Sequence, residues 1–229
     1  MKITIIIQNK NYARFLKKTI LSCIIQDYPK DQYEIIGYDA HSTDESMEMY
    51  KEFKDRIKII EVGDKNQPEA LNEVLKQAKG EYISIINSDD WLLSHFLRVH
   101  ADALDKNPEV ILAYSNSYRE NEQGARQIYE PKDNGKLIPK EEIFKRNFVF
   151  QPSTMMRRSA LDKISLFDEK LKHVWDYDAW QKLAKIGDWA YVDSITTIYR
   201  IHQAMNSMRL KKEMDEELKK LVKNDQRDI

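Results

Sequence analysis

The sequence predicts an α/β fold in which an open, mostly parallel β-sheet is covered by helices on both faces. Strand-like and helix-like segments alternate through the first half of the chain, and the connections between them are short. The strand segments are near-continuous apolar runs, as in Ile3 to Ile7, and such runs are typical of buried parallel strands.

The first two strand–helix units are defined by the spacing of apolar side chains. After the strand at Ile3 to Ile7, apolar residues recur every three or four positions over residues 12–23, which predicts a helix. A second strand is expected at Glu34 to Tyr38. The capping residues Ser42 to Asp44 then predict a helix that runs through Phe53.

Two more units follow. A third strand is predicted at Ile57 to Val62, and an apolar stripe within residues 68–78 predicts a helix that ends before Gly80. The fourth apolar strand is predicted at Ile83 to Ile86.

Three aspartates follow strands: Asp39 comes after the second, Asp64 after the third and Asp89 after the fourth. The carboxyl ends of parallel strands meet at one edge of the sheet, which is where open α/β folds bind ligands. We therefore expect an acidic rim at this edge.

The second half of the chain gives weaker signals. A helix is predicted at Leu93 to Leu104 and a strand at Val110 to Ser115, followed by a polar loop or hairpin that reaches Gly135. A further helix is expected at Asp176 to Ile186, and a short strand at Trp189 to Val192.

We predict a single domain over residues 1–209, with a ligand-binding half (1–117), a second half (118–209) and a helical tail (210–229). The apolar stripe of this tail, Leu210, Met214, Leu218 and Leu221, usually packs on its own domain. A role of the tail in a homodimer or in peripheral membrane contact stays open.

Composition excludes several classes of protein. Lys and Arg total 37 against 38 Asp and Glu, so there is no net positive field for nucleic acid or an anionic membrane. The one cysteine, Cys23, falls on an apolar helix face, which indicates a core thiol and a reducing compartment. We expect no signal peptide and no membrane-spanning segment, and hence a cytoplasmic protein that is at most peripheral at the inner face of the cell membrane.

The residues that end the fourth strand, Asn87, Ser88, Asp89 and Asp90, are the strongest functional signal. A pair of carboxylates at this place can bind a divalent cation that also coordinates the phosphates of a ligand. These residues therefore indicate a nucleotide-handling enzyme. The alternative is that Asp89 or Asp90 caps a helix that begins near Trp91.

The order of these segments resembles the inverting family 2 glycosyltransferases of GT-A fold. The likeness runs from Lys2 to about Ser207. Four blocks carry it: residues 3–26, residues 34–44 with their Asp-Ser-Thr-Asp pattern, residues 69–90, and residues 168–202. No single block would suffice, because their joint order and spacing is the specific signal. The stretch "Ala-Lys-Gly-Glu-Tyr-Ile" leading into "Asn-Ser-Asp-Asp" is particularly characteristic of these enzymes.

The resemblance implies a role for each matching position. Asp176 would be the catalytic base, Asp89 and His202 would hold a divalent metal (Mn²⁺ or Mg²⁺), and Trp175 and Tyr177 would lie on the acceptor side. The expected nucleotide-sugar-binding residues are Gln8, Asn9, Asn11, Asp39, Asp64, Asn66, Gln67, Asn87, Ser88, Asp90 and Arg200. The implied partners are a nucleotide-diphosphate sugar, with a UDP-sugar favoured, and a saccharide or lipid-linked acceptor in the synthesis of surface polysaccharide or glycolipid.

Some positions depart from the family pattern. Gln8 replaces a proline, Ala40 and His41 follow Asp39 in place of acidic or glycine residues, and Asn87 replaces a common aspartate. Trp175 stands where an acidic residue is frequent. Base recognition and metal binding could therefore differ from those of other members.

Three other interpretations remain. Asp176 and Asp178 at the start of a helix could act only as caps. The departures also allow a catalytically silent module that binds nucleotide sugars. A sugar nucleotidyltransferase fits less well, because the loop from Gln8 to Tyr12 contains no glycine.

Overall fold

The computed structural model describes residues 1–225, with side chains described through residue 221. Four parallel strands form the first half of the sheet: β1 (Ile3–Asn9), β2 (Tyr33–Asp39), β3 (Lys58–Glu61) and β4 (Tyr82–Asn87). Their order is β3-β2-β1-β4, so their carboxyl ends share one edge. The predicted acidic rim is confirmed in outline, since Asp39 ends β2 and Asp89 follows β4.

Helices cover both faces of these strands, as predicted. They are α1 (Ala13–Ile24), α2 (Ser46–Lys51) and α3 (Gln67–Leu75). Leu16 of α1 packs with Ile5 of β1 on one face, whereas Leu71 of α3 packs with Ile6 on the other. Alternate side chains of β1 thus enter opposite cores, which is why its isoleucines fall on both faces of the strand.

The order of the remaining strands was not predicted. They are β5 (Trp91–Leu92), β6 (Val110–Glu120), β7 (Arg126–Tyr129), the two-stranded β8 (Lys132–Asp133) and β9 (Lys136–Leu137), β10 (Thr154–Arg157) and β11 (Asp188–Arg200). The main sheet continues from β4 through β10, β6 and β11 to β5, and β7 pairs with β6. β10 is antiparallel to both neighbours, so the parallel order is interrupted beside β4. β6 also crosses the predicted boundary at residues 117–118, and the division into halves stays a prediction.

The later helices are α4 (Phe96–Lys106), α5 (Arg158–Lys163), α6 (Trp175–Ile186), α7 (Asn206–Arg209) and α8 (Lys211–Asp225), with 3₁₀ turns at Lys140–Phe144 and Gln151–Ser153. No helix in the described residues is both long and apolar enough to cross a bilayer. Met214, Leu218 and Leu221 of α8 pack against the core, which confirms the expectation that the tail lies on its own domain. Residues 226–229 of the predicted tail lie outside the described residues.

One local prediction was wrong and another was confirmed only in part. No helix begins at Trp91, because Trp91–Leu92 instead pairs with β11 and the next helix starts at Phe96. The α2 helix has Glu45 at its N-cap, without a side-chain cap. Asp44 accepts hydrogen bonds from the backbone N–H groups of Ser46 (3.1 Å) and Ala13 (2.9 Å), so it connects the first turns of two helices.

The predicted core thiol is confirmed. Cys23 is fully buried among the apolar residues of α1 and β1, and burial raises its pKa to about 12. The thiol is therefore protonated and unreactive at neutral pH.

Candidate functional site

A cleft of about 1100 Å³ opens at the carboxyl edge of β1, β2 and β4. Both Asp89, which follows β4, and Asp176, in the first turn of α6, line it. Residues distant in the sequence therefore meet at one cavity. The other predicted residues that line the cleft are Gln8, Asn9, Asn11, Asn66, Gln67, Asn87, Ser88, Trp175 and Tyr177.

Asp89 is paired with His202. The His202 Nε2 atom lies 3.0 Å from Asp89 Oδ2. Arg14 Nη2 lies 3.4 Å from the other ring nitrogen, Nδ1. Because a guanidinium can only donate, this contact assigns the ring proton to Nε2, which donates to Asp89. The His202 side chain is fully buried and does not line the cleft, and its ring lies beside the Phe15 ring at a centroid distance of 4.7 Å.

Asp90 lies behind this pair and does not line the cleft. Its Oδ1 accepts from the backbone N–H of Arg200 at 2.9 Å, and Arg200 Nε donates to the Asp89 carbonyl oxygen at 3.0 Å. Burial and the charge of Asp89 both raise the pKa of Asp90 well above its ordinary value. Asp90 and Arg200 thus join the end of β4 to the end of β11 and fix the backbone that carries Asp89.

Gln8 and Asn87, which depart from the family pattern, are hydrogen-bonded to each other. The Gln8 side-chain amide donates to Asn87 Oδ1, and Gln8 Oε1 accepts from the Tyr38 hydroxyl at 3.0 Å. The Asn87 amide in turn donates to Asp90 Oδ2 at 3.3 Å. These side chains therefore form one polar network beneath Asp89, and the two substitutions are mutually compatible.

Asp39 is buried and its carboxylate is already occupied. It accepts from Asn9 Nδ2 (2.8 Å), the Ser42 hydroxyl (2.7 Å) and the Ser42 backbone N–H (2.7 Å). Asn11 has a left-handed backbone, with φ of 60°, and its side chain accepts from the Thr43 backbone N–H at 2.7 Å. Asn tolerates this conformation better than most residues. Asp39 thus shapes the loop that carries Asn9 and Asn11 into the cleft.

Asp64 lies at the protein surface. It is paired with Lys10 at 3.0 Å, and that hydrogen bond lowers the pKa of the Asp64 carboxyl. Asp64 does not line the cleft, whereas Lys10 does.

Asp176 has few partners. Its Oδ1 accepts from the Tyr177 backbone N–H at 2.8 Å, and burial raises the pKa of Asp176 to about 6. The N-cap of α6 is Val174, so Asp176 is not the capping residue that the alternative interpretation required. A carboxylate with a pKa near 6 is suited to accept a proton at neutral pH.

The aromatic neighbours of Asp176 are largely buried. Trp175 is 4% exposed and donates from Nε1 to Gln67 Oε1 at 3.2 Å, while Tyr177 is 5% exposed. Trp175 therefore joins α6 to the start of α3, and both residues line the cleft although they are largely buried.

Several lining residues were missed by the sequence reasoning. Gln151 belongs to the 3₁₀ turn before β10, Phe150 directly precedes that turn, and Tyr199 belongs to β11. A C-terminal segment also forms a wall of the cleft, through Ala204, Met205, Asn206, Ser207, Arg209, Leu210, Met214 and Leu218. Leu210, Met214 and Leu218 belong to the apolar stripe of the tail, whereas the other residues belong to no motif with regular spacing and gave no sequence signal.

Asp89 and His202 have a spacing that fits a divalent metal. Two adjacent ligands about 2.1 Å from an octahedral ion lie roughly 3 Å apart, and the observed separation is 3.0 Å. His202 would then carry its proton on Nδ1, and the Arg14 side chain, which is 58% exposed, would have to move aside. No group of three or more His, Cys, Asp or Glu within residues 1–225 could hold a metal, so its remaining ligands would be phosphate oxygens and water.

Comparison with known proteins identifies the family. The family model described as "Glycosyl transferase family 2" matches residues 4–165, which is more than half of the chain. The chain belongs to glycosyl transferase family 2. The matched region includes Asp89 and ends before Asp176.

A curated relative is the poly(ribitol-phosphate) β-N-acetylglucosaminyltransferase TarS of Staphylococcus aureus. It is 25% identical over 116 residues, which are 49% of this chain and 20% of TarS. The chain thus spans only a fifth of the length of that relative.

Solved structures show the same GT-A fold. The crystal structure of S. aureus TarS residues 1–349 with UDP-GlcNAc superposes with a TM-score of 0.74 at 19% identity, covering 90% of this chain and 60% of the other. The mannosyltransferase PcManGT of Pyrobaculum calidifontis, with GDP-Man and Mn²⁺, gives a TM-score of 0.66 at 16% identity, with coverages of 89% and 58%. The predicted fold class is therefore confirmed.

Proposed function

We propose that this chain is an inverting glycosyltransferase that moves a sugar from a nucleotide-diphosphate sugar to an acceptor hydroxyl. The observation that carries the proposal is the presence of Asp89 and Asp176 on one cleft, contributed by separate elements. One carboxylate is held by a histidine and the other has a raised pKa, so the two differ in chemistry.

Asp176 is assigned the role of general base. It accepts the proton of the acceptor hydroxyl as that oxygen attacks the anomeric carbon and the bond to the donor's diphosphate breaks. A single displacement from the face opposite the leaving group inverts the anomeric centre.

Asp89 and His202 are assigned to the donor diphosphate. A divalent cation bound there supplies charge stabilisation to the phosphates. Arg14 and Lys10 also line the cleft and contribute positive charge on the donor side. Asp90 and Arg200 support Asp89 through the backbone, and Asp39 supports the loop with Asn9 and Asn11.

The donor is proposed to be a UDP-sugar, since the TarS structures contain UDP-GlcNAc or UDP. For the acceptor, we propose a saccharide or polyol-phosphate chain of a surface polymer or a lipid-linked precursor, by analogy with the printed activity of TarS. Such a reaction would take place in the cytoplasm, at the inner face of the membrane.

A panel of UDP-, GDP- and dTDP-sugars with Mn²⁺ tests this proposal. We expect thermal stabilisation and slow hydrolysis of one donor class, and loss of hydrolysis with retained stabilisation in Asp176→Asn. The absence of both binding and hydrolysis would favour the silent module, for which the substitutions at Gln8, Ala40, His41 and Asn87 are the motivating observation.

A further inference from the structure

The loop that leads to Asp176 is held by a carboxylate from the C-terminal helix. Glu217 of α8 accepts hydrogen bonds from the backbone N–H groups of Lys172 (3.0 Å), His173 (2.8 Å) and Val174 (3.3 Å). The Lys172 bond ends on Oε1, and the other two end on Oε2. Both carboxylate oxygens are therefore used.

One of these donors is the N–H of Val174, the N-cap of α6, and the other two belong to the loop residues directly before it. The first N–H groups of a helix have no partner within the helix, and they usually bond to a side chain of the N-cap residue. Val174 is the N-cap of α6 and has no polar side chain, so the N-cap residue makes no side-chain hydrogen bond to α6. Glu217 supplies acceptors from another helix, and its negative charge lies at the positive end of the α6 dipole.

The helix that carries Glu217 is itself fixed on both sides. Met214 and Leu218, on the same stripe, pack against the core and also line the cleft. Further back, the Tyr12 hydroxyl donates to the Ala204 carbonyl oxygen at 2.9 Å. The segment from Ala204 to Leu218 thus runs from the donor side of the cleft to the loop before Asp176.

We propose that Glu217 is a positioning residue, which sets the placement of Asp176 by clamping residues 172–174. The inference rests on the proposed function, because it assigns Glu217 to the reaction in which Asp176 is the base. Glu217 acts through the backbone of the loop and touches neither substrate nor metal.

The placement of a base matters because proton transfer requires hydrogen-bond distance to the reacting hydroxyl. A displacement of about 1 Å can lower the rate on the order of 10²-fold. Without Glu217, the backbone N–H groups of residues 172–174 would lose their carboxylate acceptor and would hydrogen-bond to water instead. These residues directly precede the first turn of α6, which carries Asp176.

The test compares Glu217→Ala and Glu217→Gln with Glu216→Ala in the full chain. Glu216 is the neighbouring exposed glutamate of the same helix and makes a matched control. Glutamine is nearly isosteric with glutamate but offers a single oxygen acceptor. Glu217→Gln should therefore keep part of the clamp, and it should fold even if the alanine variant does not.

Two readouts are needed. Amide hydrogen exchange by NMR should accelerate at residues 172–174 in Glu217→Ala, less in Glu217→Gln and not in Glu216→Ala. Steady-state kinetics should show kcat lowered roughly 10- to 10²-fold in Glu217→Ala, with KM for the donor unchanged and an intermediate kcat in Glu217→Gln.

The inference would be overturned by unchanged exchange at these amides, or by accelerated exchange with wild-type kcat. An equal loss of donor binding and kcat would indicate a purely structural role and would also overturn it. If the wild-type chain transfers no sugar from any donor while the exchange pattern holds, then the proposed function fails although the clamp exists, so the two failures are distinguishable.

Discussion

Replacing Asp176 by Asn removes a buried charge and keeps the shape of the side chain. The hydrogen bond from the Tyr177 backbone N–H can be retained, because the amide oxygen of Asn accepts as the carboxylate does. Asn resembles the protonated acid, which is the form that burial favours. We therefore expect this substitution to stabilise the unliganded protein while it removes the proposed base.

The magnitude follows from the pKa. A pKa that moves from 3.8 to about 6 on folding corresponds to roughly 3 kcal/mol of differential stability. The Asp176 side chain is only partly buried, and solvent reduces the free-energy difference. We therefore expect a gain in stability of about 2 kcal/mol. In a chain of this size that gain raises Tm by roughly 4 to 8 °C.

The gain depends on pH in a defined direction. The folded-state pKa is raised, so ionisation of Asp176 destabilises the wild-type protein as pH increases from about 4 to about 6, and the full penalty is present above that range. The advantage of Asp176→Asn should therefore be complete at pH 7.5 and mostly lost at pH 4.5.

Thermal unfolding followed by circular dichroism at these two pH values measures the effect. Asp178→Asn is the matched control, because Asp178 lies on the same helix but is ion-paired with Lys182 at 2.6 Å, and it should give no gain. A Tm for Asp176→Asn that is equal to or below the wild-type value at pH 7.5 would refute the reasoning about the buried charge.

Three further predictions follow from the same structure. The value of kcat/KM for transfer should fall about tenfold per pH unit below pH 6, because the proposed base must be ionised; a pH–rate profile that stays flat down to pH 4.5 would contradict this role. Asp89→Asn should weaken Mn²⁺-dependent donor binding, measured by calorimetry, by at least about tenfold. The control Asp162→Asn, at an exposed position, should not weaken it, and equal donor affinities of the two variants would show that Asp89 does not bind the metal or the donor. Gly80→Ala should destabilise the fold by roughly 3 kcal/mol, because a Cβ at this position would overlap the backbone of Ile3 and Thr4. In the control Gly187→Ala, the nearest atoms to the new Cβ belong to the Ile111 side chain, so the loss of stability should be smaller. Similar midpoints of denaturant unfolding for the two variants would contradict this prediction.

The first half of the fold could be predicted because local and global signals agree there. Ile3–Ile7 is apolar at every position except Thr4 since both faces of β1 are covered, and the stripe of α1 has the spacing of one helical face. The placement of Asp89 follows from the end of such a strand. The prediction that Asp176 lies at the same site came from the family resemblance, because the sequence around Asp176 was also compatible with a helix cap.

The second half could not be predicted because its elements depend on distant partners. β10 has only four residues, and a strand that short has no distinctive period. β11 has register shifts after Val192 and Ile195, so its alternation of buried and exposed residues is broken and only its first part was predicted. The wall formed by residues 204–218 depends on contacts with Tyr12 and the 172–174 loop, which are far away in the sequence.

The central claim is that Asp89 and Asp176 serve a single donor site. NMR line broadening by Mn²⁺ in the presence of UDP tests it most directly, because a paramagnetic ion selectively broadens the amide signals of residues near it. We predict broadening that centres on Asp89 and His202, extends to Asp176 and Tyr177, and disappears in Asp89→Asn. Broadening that leaves the start of α6 unaffected, or that centres on another part of the surface, would contradict the account.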